Sequence, residues 1–253
     1  MSVNKLDADF LKRNSQSQWG DIHVFESIDS TSTWVKSQPH SRLVCLAEHQ
    51  TAGRGRHGHQ WQSPNSENIY LSFNWQFDSQ PAHLSLLSLW VGILVAETLA
   101  GAGLSGHGVK WPNDIYWQKQ KMGGILLETS NLSSMIVVGI GLNINMFNDS
   151  DIDQPWASLG QALGHEINRN HILLSLLDKL YKGLEEFAAL SVNDIKEQWQ
   201  QWDLINGRQV TFQESEKARA GDAIGVDDSG QLLVRFESGE VKAFGTTISK
   251  VRW

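Results

Sequence analysis

Hydrophobic and polar positions follow two different periods along the chain, and each period predicts a different kind of element. Residues 84–99 carry a broad apolar face at helical spacing, and two glycines follow where the C-terminal cap of a helix belongs. Residues 170–190 place leucines and a phenylalanine on one stripe, which predicts an amphipathic helix. Val192–Trp202 continues with apolar positions at helical spacing and is predicted as a further helix.

Shorter segments alternate apolar and polar residues, or run apolar, as strands do. The predicted strand segments are residues 42–49, 68–77, 108–117, 124–129 and 135–145. The polar residues 1–20 are expected to be weakly structured or to form one short helix. Residues 149–155 are polar and acidic, so we expect a mobile loop there.

The pattern changes near Asn206. From Arg208 onward the chain consists of short alternating strands, with tight turns at 228–230 and 238–239. The sequence therefore predicts two domains, residues 1–205 and a small β-barrel of residues 206–253. A domain so small buries little core by itself, and we expect it to pack against the larger one.

Charge and composition narrow the classes of function. The 253 residues carry a formal net charge of −7, which argues against a broad, non-specific grip on nucleic acid or on an acidic membrane. The apolar run within residues 84–99 is shorter than the roughly 20 residues of a membrane span, so a buried core helix is the favoured interpretation. A basic start followed by an apolar core is absent at the N-terminus, so no signal peptide is expected. Cys45 is the only cysteine, which excludes an internal disulfide framework and fits a cytoplasmic protein.

A glycine-rich basic loop is the first candidate for chemistry. Residues 53–58 read Gly-Arg-Gly-Arg-His-Gly. Glycines let a backbone approach a ligand closely, and arginine forks suit phosphate or carboxylate. The alternatives are a flexible basic surface loop or an RNA-binding patch. The spacing is not that of a P-loop, so a Walker-type nucleotidase is not expected.

Three more segments combine lysines, glycines or amides with strands. Residues 110–114 read Lys-Trp-Pro-Asn-Asp, residues 121–124 read Lys-Met-Gly-Gly, and residues 139–145 read Gly-Ile-Gly-Leu-Asn-Ile-Asn. Each has an ordinary structural alternative, a surface lysine or a strand weakened by glycine. The hydroxyl cluster at residues 30–33 either caps a helix running to Lys36 or faces a polar ligand. His57 and His59 lack a third ligand at convincing spacing, so no metal-binding residues are predicted.

These motifs occur in one order, together with Asp29-Ser30-Thr31 and the segment Glu48–Ala52. In this order the sequence resembles the bacterial biotin protein ligases (biotin–[acetyl-CoA-carboxylase] ligases), from about residue 25 to the C-terminus. The resemblance implies an α+β fold, in which a mixed β-sheet flanked by helices forms a class II synthetase-like ligase domain and a small SH3-like barrel follows. Only 29 residues precede Ser30, so the form without an N-terminal DNA-binding domain is expected.

The resemblance also implies roles for individual residues. The implied biotin-binding residues are Ser30, Thr31, Ser32, Gln50, Arg54, Gly55, Arg56 and Lys110. The implied nucleotide-binding residues are Gly53, Arg54, Trp61, Lys121, Asn143 and Trp156, with the 148–157 loop beside them. Lys110, Arg56 and Lys121 are the implied catalytic residues. The chain departs from the usual pattern at His57, where family members often have a third arginine.

The implied reaction has two steps. ATP, with Mg²⁺, activates biotin to biotinyl-5′-AMP, and a lysine of the biotin carboxyl carrier protein of acetyl-CoA carboxylase then accepts the biotin. Neither DNA nor a membrane is an expected partner. The sequence does not decide whether the protein forms a homodimer. The rival interpretations are a lipoate–protein ligase of related fold, a biotin-sensing transcription regulator, and a non-catalytic nucleic-acid-binding module.

Overall fold

The computed structural model describes residues 5–64, 67–129, 135–147, 154–214, 217–246 and 249–253. A seven-stranded mixed sheet and a five-stranded antiparallel sheet account for the strands in these residues. The larger sheet contains β1 (Ile22–Phe25), β2 (Val44–Ala47), β3 (Ile69–Trp75), β4 (His107–Lys110), β5 (Asp114–Trp117), β6 (Gln120–Thr129) and β7 (Ile136–Leu142). Its strand order is β1-β2-β3-β7-β6-β5-β4, and only β1 and β2 run parallel to each other among these pairs.

Six α-helices lie within the described residues. They are α1 (Ala8–Asn14), α2 (Thr31–Lys36), α3 (Leu87–Gly101), α4 (Leu159–Leu163), α5 (Arg169–Phe187) and α6 (Val192–Trp202). The mixed sheet flanked by helices confirms the fold class expected from the sequence.

The central helix α3 is apolar on all sides, as befits a helix enclosed by the protein. With the short 3₁₀ turn before it, Leu84–Gly101 is long and apolar enough to cross a membrane, but 67% of it is buried inside the protein. It contacts α5, α6 and strands β4 to β6. The predicted amphipathic stripe of α5 faces this core, where Leu173, Leu176, Leu177, Leu180 and Leu184 are buried.

The N-terminal segment belongs to the larger part of the molecule. Asp7 caps α1 through a bond from the Phe10 amide, and the preceding Leu6 amide donates to Glu48 Oε1 at 2.7 Å. Glu48 also pairs with Arg169 at 2.8 Å, and both side chains are fully buried. Of the two expectations for residues 1–20, the short helix is confirmed for the described residues.

The second sheet is built by the last strands of the chain. They are β8 (Gln209–Glu214), β9 (Lys217–Val226), β10 (Leu232–Arg235), β11 (Val241–Phe244) and β12 (Ser249–Arg252), ordered β11-β10-β9-β8-β12. The turn before β10 packs on the larger part, because Gly230 lies against Leu86 and its carbonyl accepts a 2.9 Å bond from Trp111 Nε1. Gly230 has φ of +77°, which a residue with a side chain adopts only with strain. The small sheet therefore packs on the larger part of the protein, as the sequence predicts.

Candidate functional site

A cavity of about 1110 Å³ lies against strands β3, β6 and β7 of the larger sheet. Its walls come from separate parts of the chain: the start of α2, the glycine-rich loop, the Lys110–Asp114 segment and the end of β12. Polar and apolar side chains both line it, as expected for a site that binds a ligand with a neutral part and a charged part.

Two glycines form the floor of the cavity beneath Trp61. Gly124 on β6 and Gly141 on β7 are opposite each other in the sheet. A Cβ atom on Gly141 would lie 2.5 Å from the Trp61 indole, so a side chain there would displace the ring. Lys121 Nζ lies 5.4 Å from the centre of the Trp61 ring. The indole N–H of Trp61 is buried and has no hydrogen-bond partner among the described residues.

Hydroxyl and amide groups form the wall at the start of α2. Ser30 is the N-cap of this helix and also lines the cavity, so both interpretations of the hydroxyl cluster apply to it. The Thr31 amide donates to Gln50 Oε1 at 2.9 Å, and Thr31 Oγ1 lies 2.8 Å from Ser72 Oγ. Gln50 Nε2 in turn donates to Ser63 Oγ at 3.1 Å. This network fixes the polar side chains before a ligand arrives.

The glycine-rich loop folds back on itself as a narrow turn. The Gly55 amide donates to the His59 carbonyl at 2.7 Å, and Arg54 forms a β-bridge with Gln60. His57 has φ of 53° at the tip, in the left-handed region. These bonds place both arginines of the loop at the cavity.

The two arginines extend to different walls. Arg54 Nη2 donates to Glu128 Oε1 on β6 at 2.9 Å. Arg56 Nη1 donates to Asn113 Oδ1 at 3.1 Å, and its Nη2 donates at 2.6 Å to the carbonyl of Thr246, which lies after β11. Burial lowers the pKa of Arg56. The loop is therefore attached to β6 of the larger sheet and to the C-terminal part of the chain.

The two lysines carry their charges in different surroundings. Lys121 pairs with Asp114 at 2.9 Å. Lys110 forms no ion pair within the described part of the chain, and its Nζ lies 5.1 Å from the centre of the Tyr116 ring. Burial lowers the pKa of Lys110, the nearby Lys121 and Arg252 charges lower it further, and Asp114 opposes them. Burial also raises the pKa of Tyr116 to about 12. Lys110 is thus a cation held close to other cations, and an anionic ligand would relieve that repulsion.

Most residues predicted for the site lie together at the cavity. The lining includes Ser30, Thr31, Ser32, Gln50, Arg54, Gly55, Arg56, Trp61, Lys110 and Lys121. Three predicted residues lie outside it. Gly53 packs against the Trp61 carbonyl, Asn143 donates to the carbonyl of Ala157 at 3.2 Å, and Trp156 forms a β-bridge with Lys121. Their nucleotide-binding roles stay predictions, and residues 148–153 of the predicted loop lie outside the described residues.

Several residues in or next to the cavity were not predicted from the sequence. Asp114 and Tyr116 follow Lys110 closely, and their nearness to a predicted lysine was the available signal. Arg252 comes from the other end of the chain, where no pattern in the sequence marked it. Glu128 lies two and four residues beyond the lining residues Leu126 and Gly124, on the same face of β6, so strand alternation could have indicated it.

The acidic and histidine side chains do not form a metal cage in the described residues, where no group of three or more His, Cys, Asp or Glu could hold an ion. Asp114 is a carboxylate at the cavity, and Lys121 neutralises it. Mg²⁺ ordinarily binds through one or two carboxylates together with substrate phosphates. The residues present fit an ion that arrives with phosphates better than one held by the protein.

Known proteins are similar to this chain in sequence and in fold. The profile of the Biotin/lipoate A/B protein ligase family matches residues 24–145. The bifunctional ligase/repressor BirA of Salmonella typhimurium is 35% identical over 248 residues, which cover 95% of this chain and 76% of that protein. The biotin–[acetyl-CoA-carboxylase] ligase of Mycobacterium tuberculosis is 32% identical over 173 residues, 65% of this chain and 64% of that one.

A solved structure extends the likeness to the whole fold. The biotin protein ligase from Aquifex aeolicus, in complex with biotin and ATP, superposes with a TM-score of 0.81 at 28% identity, covering 92% of this chain and 99% of that chain. The chain belongs to the biotin/lipoate A/B protein ligase family.

Proposed function

We propose that this protein is a biotin–[acetyl-CoA-carboxylase] ligase, which activates biotin with ATP and transfers it to a lysine of a carrier protein. The observation that carries the proposal is the cavity in which Arg56 and Lys110 lie beside the polar network of Thr31 and Gln50. Two names support it: the Mycobacterium tuberculosis relative is a biotin–[acetyl-CoA-carboxylase] ligase, and the Aquifex aeolicus structure is a biotin protein ligase in complex with biotin and ATP.

The first step joins two anions. A carboxylate oxygen of biotin attacks the α-phosphorus of ATP, the bond from that phosphorus to the bridging oxygen breaks, and pyrophosphate leaves. Cations placed where the negative charge gathers lower this barrier. Lys110 and Arg56 are suited to this, because both line the cavity and both are partly withdrawn from water, which lowers the pKa of each. ATP would enter as its magnesium complex, which suits the lack of a protein cage among the described residues.

The second step transfers the acyl group. The neutral amine of the acceptor lysine attacks the acyl carbon of biotinyl-5′-AMP, the bond to the phosphate oxygen breaks, and AMP leaves with the electron pair. The nitrogen gives up one proton to water, which leaves a neutral amide. No side chain of this protein is needed as a covalent nucleophile, and Cys45 is unsuited to that role because burial raises the pKa of its thiol. The proposed acceptor is the biotin carboxyl carrier protein of acetyl-CoA carboxylase, in the cytoplasm.

We also propose that the chain works as two domains, residues 1–205 and 206–253. The smaller one would contribute to the site directly, since Arg252 and Val251 line the cavity and the Thr246 carbonyl accepts a bond from Arg56. Gly53, Asn143 and Trp156 are proposed to shape the nucleotide end of the cavity. Asn143 and Trp156 would do so by holding the backbone of Lys121.

ATP–pyrophosphate exchange and acceptor labelling test the proposal. Exchange that depends on biotin, followed by ATP-dependent transfer of labelled biotin to a carrier domain, is the expected result. The second candidate is a lipoate–protein ligase, because the matching family includes lipoate ligases. Exchange with lipoate and none with biotin would replace the proposed function with this one.

A further inference from the structure

Glu128 lies beneath the glycine-rich loop, where its carboxylate accepts hydrogen bonds from three other side chains. Ser32 Oγ donates to Oε2 at 2.9 Å, while Lys36 Nζ and Arg54 Nη2 donate to Oε1 at 2.8 and 2.9 Å. The Glu128 side chain is only 17% exposed. Two of its partners, Ser32 and Arg54, line the cavity.

The carboxylate is held in its charged form. Burial favours the neutral acid, but the hydrogen bonds from Lys36 and Ser32 and the charge of Arg54 outweigh burial and lower the pKa of Glu128. A charged acceptor binds a guanidinium more strongly than a neutral one. The Arg54–Glu128 contact is therefore a charge-assisted bond at neutral pH.

This contact joins the loop to the sheet that forms the cavity floor. Arg56, the other arginine of the loop, bonds to Asn113 and to the Thr246 carbonyl instead. Glu128 is thus the carboxylate to which the loop is attached on β6, at the opposite end of the strand from Lys121. The same carboxylate orients the Ser32 hydroxyl, so loop position and the cavity wall are coupled through one residue.

We infer that Glu128 is a positioning residue that holds the glycine-rich loop over the cavity through Arg54 and thereby retains the activated intermediate. This inference rests on the proposed function. Removing the charge of Glu128 removes the ion pair with Arg54, and the loop then moves away from the cavity more often. The chemistry at Lys110 is untouched by the change, so release of the intermediate should increase while its formation at saturating substrate does not fall.

The variant Glu128→Gln tests this with little change in side-chain size. Preformed, labelled biotinyl-5′-AMP is chased from the protein with an excess of unlabelled intermediate. We expect release to be about three- to tenfold faster, the range set by a partly exposed, charge-assisted bond. The rate of pyrophosphate exchange at saturating biotin and ATP should stay within about twofold of that of the unchanged protein, because the change does not touch the chemistry at Lys110. Lys36→Met is the matched control, since it removes a partner of Glu128 that does not belong to the loop, and its release rate should equal that of the unchanged protein.

A double-mutant cycle separates positioning from a general structural effect. Glu128→Gln is combined with Arg54→Met, and release is measured for both single variants and the double variant. If Glu128 acts through Arg54, Glu128→Gln adds nothing once Arg54 is gone. An unchanged release rate in Glu128→Gln, or an equal acceleration with and without Arg54, overturns the inference.

The outcome is distinguishable from a failure of the proposed function. If the unchanged protein shows no biotin-dependent pyrophosphate exchange, the function itself is wrong. If exchange occurs and release is insensitive to Glu128, only the role of Glu128 is wrong. Thermal unfolding of each variant shows whether it is folded, and an unfolded Glu128→Gln is replaced by Glu128→Asp, whose shorter carboxylate should give an intermediate rate.

Discussion

Replacing Lys110 by methionine should abolish most of the adenylation activity. The change removes one charge and keeps an unbranched side chain of similar length at the end of β4. Lys110 has no ion-pair partner in the part of the chain that the structure describes, whereas Lys121 is neutralised by Asp114 at 2.9 Å. We therefore expect the positive charge of Lys110, more than that of Lys121, to meet the anionic substrates.

The size of the effect follows from the position of Lys110 in a half-buried cavity. Two unit charges 4 Å apart interact by about 4 kcal/mol at an effective dielectric constant of about 20. Part of this is lost because water replaces the ammonium in the variant. We expect a loss of about 100- to 1,000-fold in the rate of adenylate formation, which corresponds to about 2.7–4 kcal/mol.

The assay is a single-turnover measurement of pyrophosphate release at saturating biotin and ATP. Lys119→Met is the matched control, since Lys119 lies on the turn before β6 and its Nζ lies 5.6 Å from the centre of the Trp253 ring. That variant should react at a rate close to that of the unchanged protein. A folded Lys110→Met protein whose rate of pyrophosphate release is within about threefold of that of the unchanged protein would refute the reasoning. A cation that stabilises the transition state directly contributes more than that to the rate.

The remaining predictions concern the cavity floor, a buried ion pair and a buried histidine. Gly141→Ala places a methyl group 2.5 Å from the Trp61 indole; it should raise the KM for ATP and cost about 1–3 kcal/mol of unfolding free energy, measured by exchange kinetics and by urea titration. Arg169→Met leaves the fully buried Glu48 carboxylate without its ion-pair partner; urea titration should show a loss of about 3–5 kcal/mol. Burial lowers the pKa of His107 in the folded protein below its ordinary value of 6.5. The unfolded chain therefore takes up the proton more readily than the folded protein does. The contribution of His107 to the free energy of unfolding is fully present above pH 6.5 and decreases as the pH drops below it. His107→Gln should make the Tm less dependent on pH between about 5 and 7, in the range where an ordinary histidine titrates.

Each of these predictions has a control or a contradicting outcome. An unchanged KM for ATP in Gly141→Ala would mean that Trp61 takes no part in nucleotide binding. Lys182→Met removes an exposed pair with Glu186 at 3.9 Å and should leave stability nearly unchanged, unlike Arg169→Met. A Tm profile for His107→Gln that parallels that of the unchanged protein would show that another group causes the acid sensitivity.

Local patterns in the sequence determined the elements and the main chemical groups. The leucine stripe of α5, the cap at Ser30 and the glycine-arginine motif depend on neighbours a few residues apart, so they can be predicted without a fold. The long apolar helix α3 was also predicted as core, because its length and its polar interruptions did not suit a membrane. The order of the motifs, which resembles that of biotin protein ligases, indicated most of the cavity-lining residues.

Only the tertiary structure decided how those groups are paired. Arg54 and Arg56 are two residues apart, yet one bonds to Glu128 on β6 and the other to Asn113 and the Thr246 carbonyl. Such partners lie 57 to 190 residues away along the chain, and no local spacing records them. Three further contacts depend on the packing of the sheets in the same way. Asp114 neutralises Lys121, the charge of Arg252 lies near Lys110, and the Trp61 ring packs on Gly141. Sequence patterns are local, while the electrostatics of a site are summed over whatever the fold brings within a few ångströms.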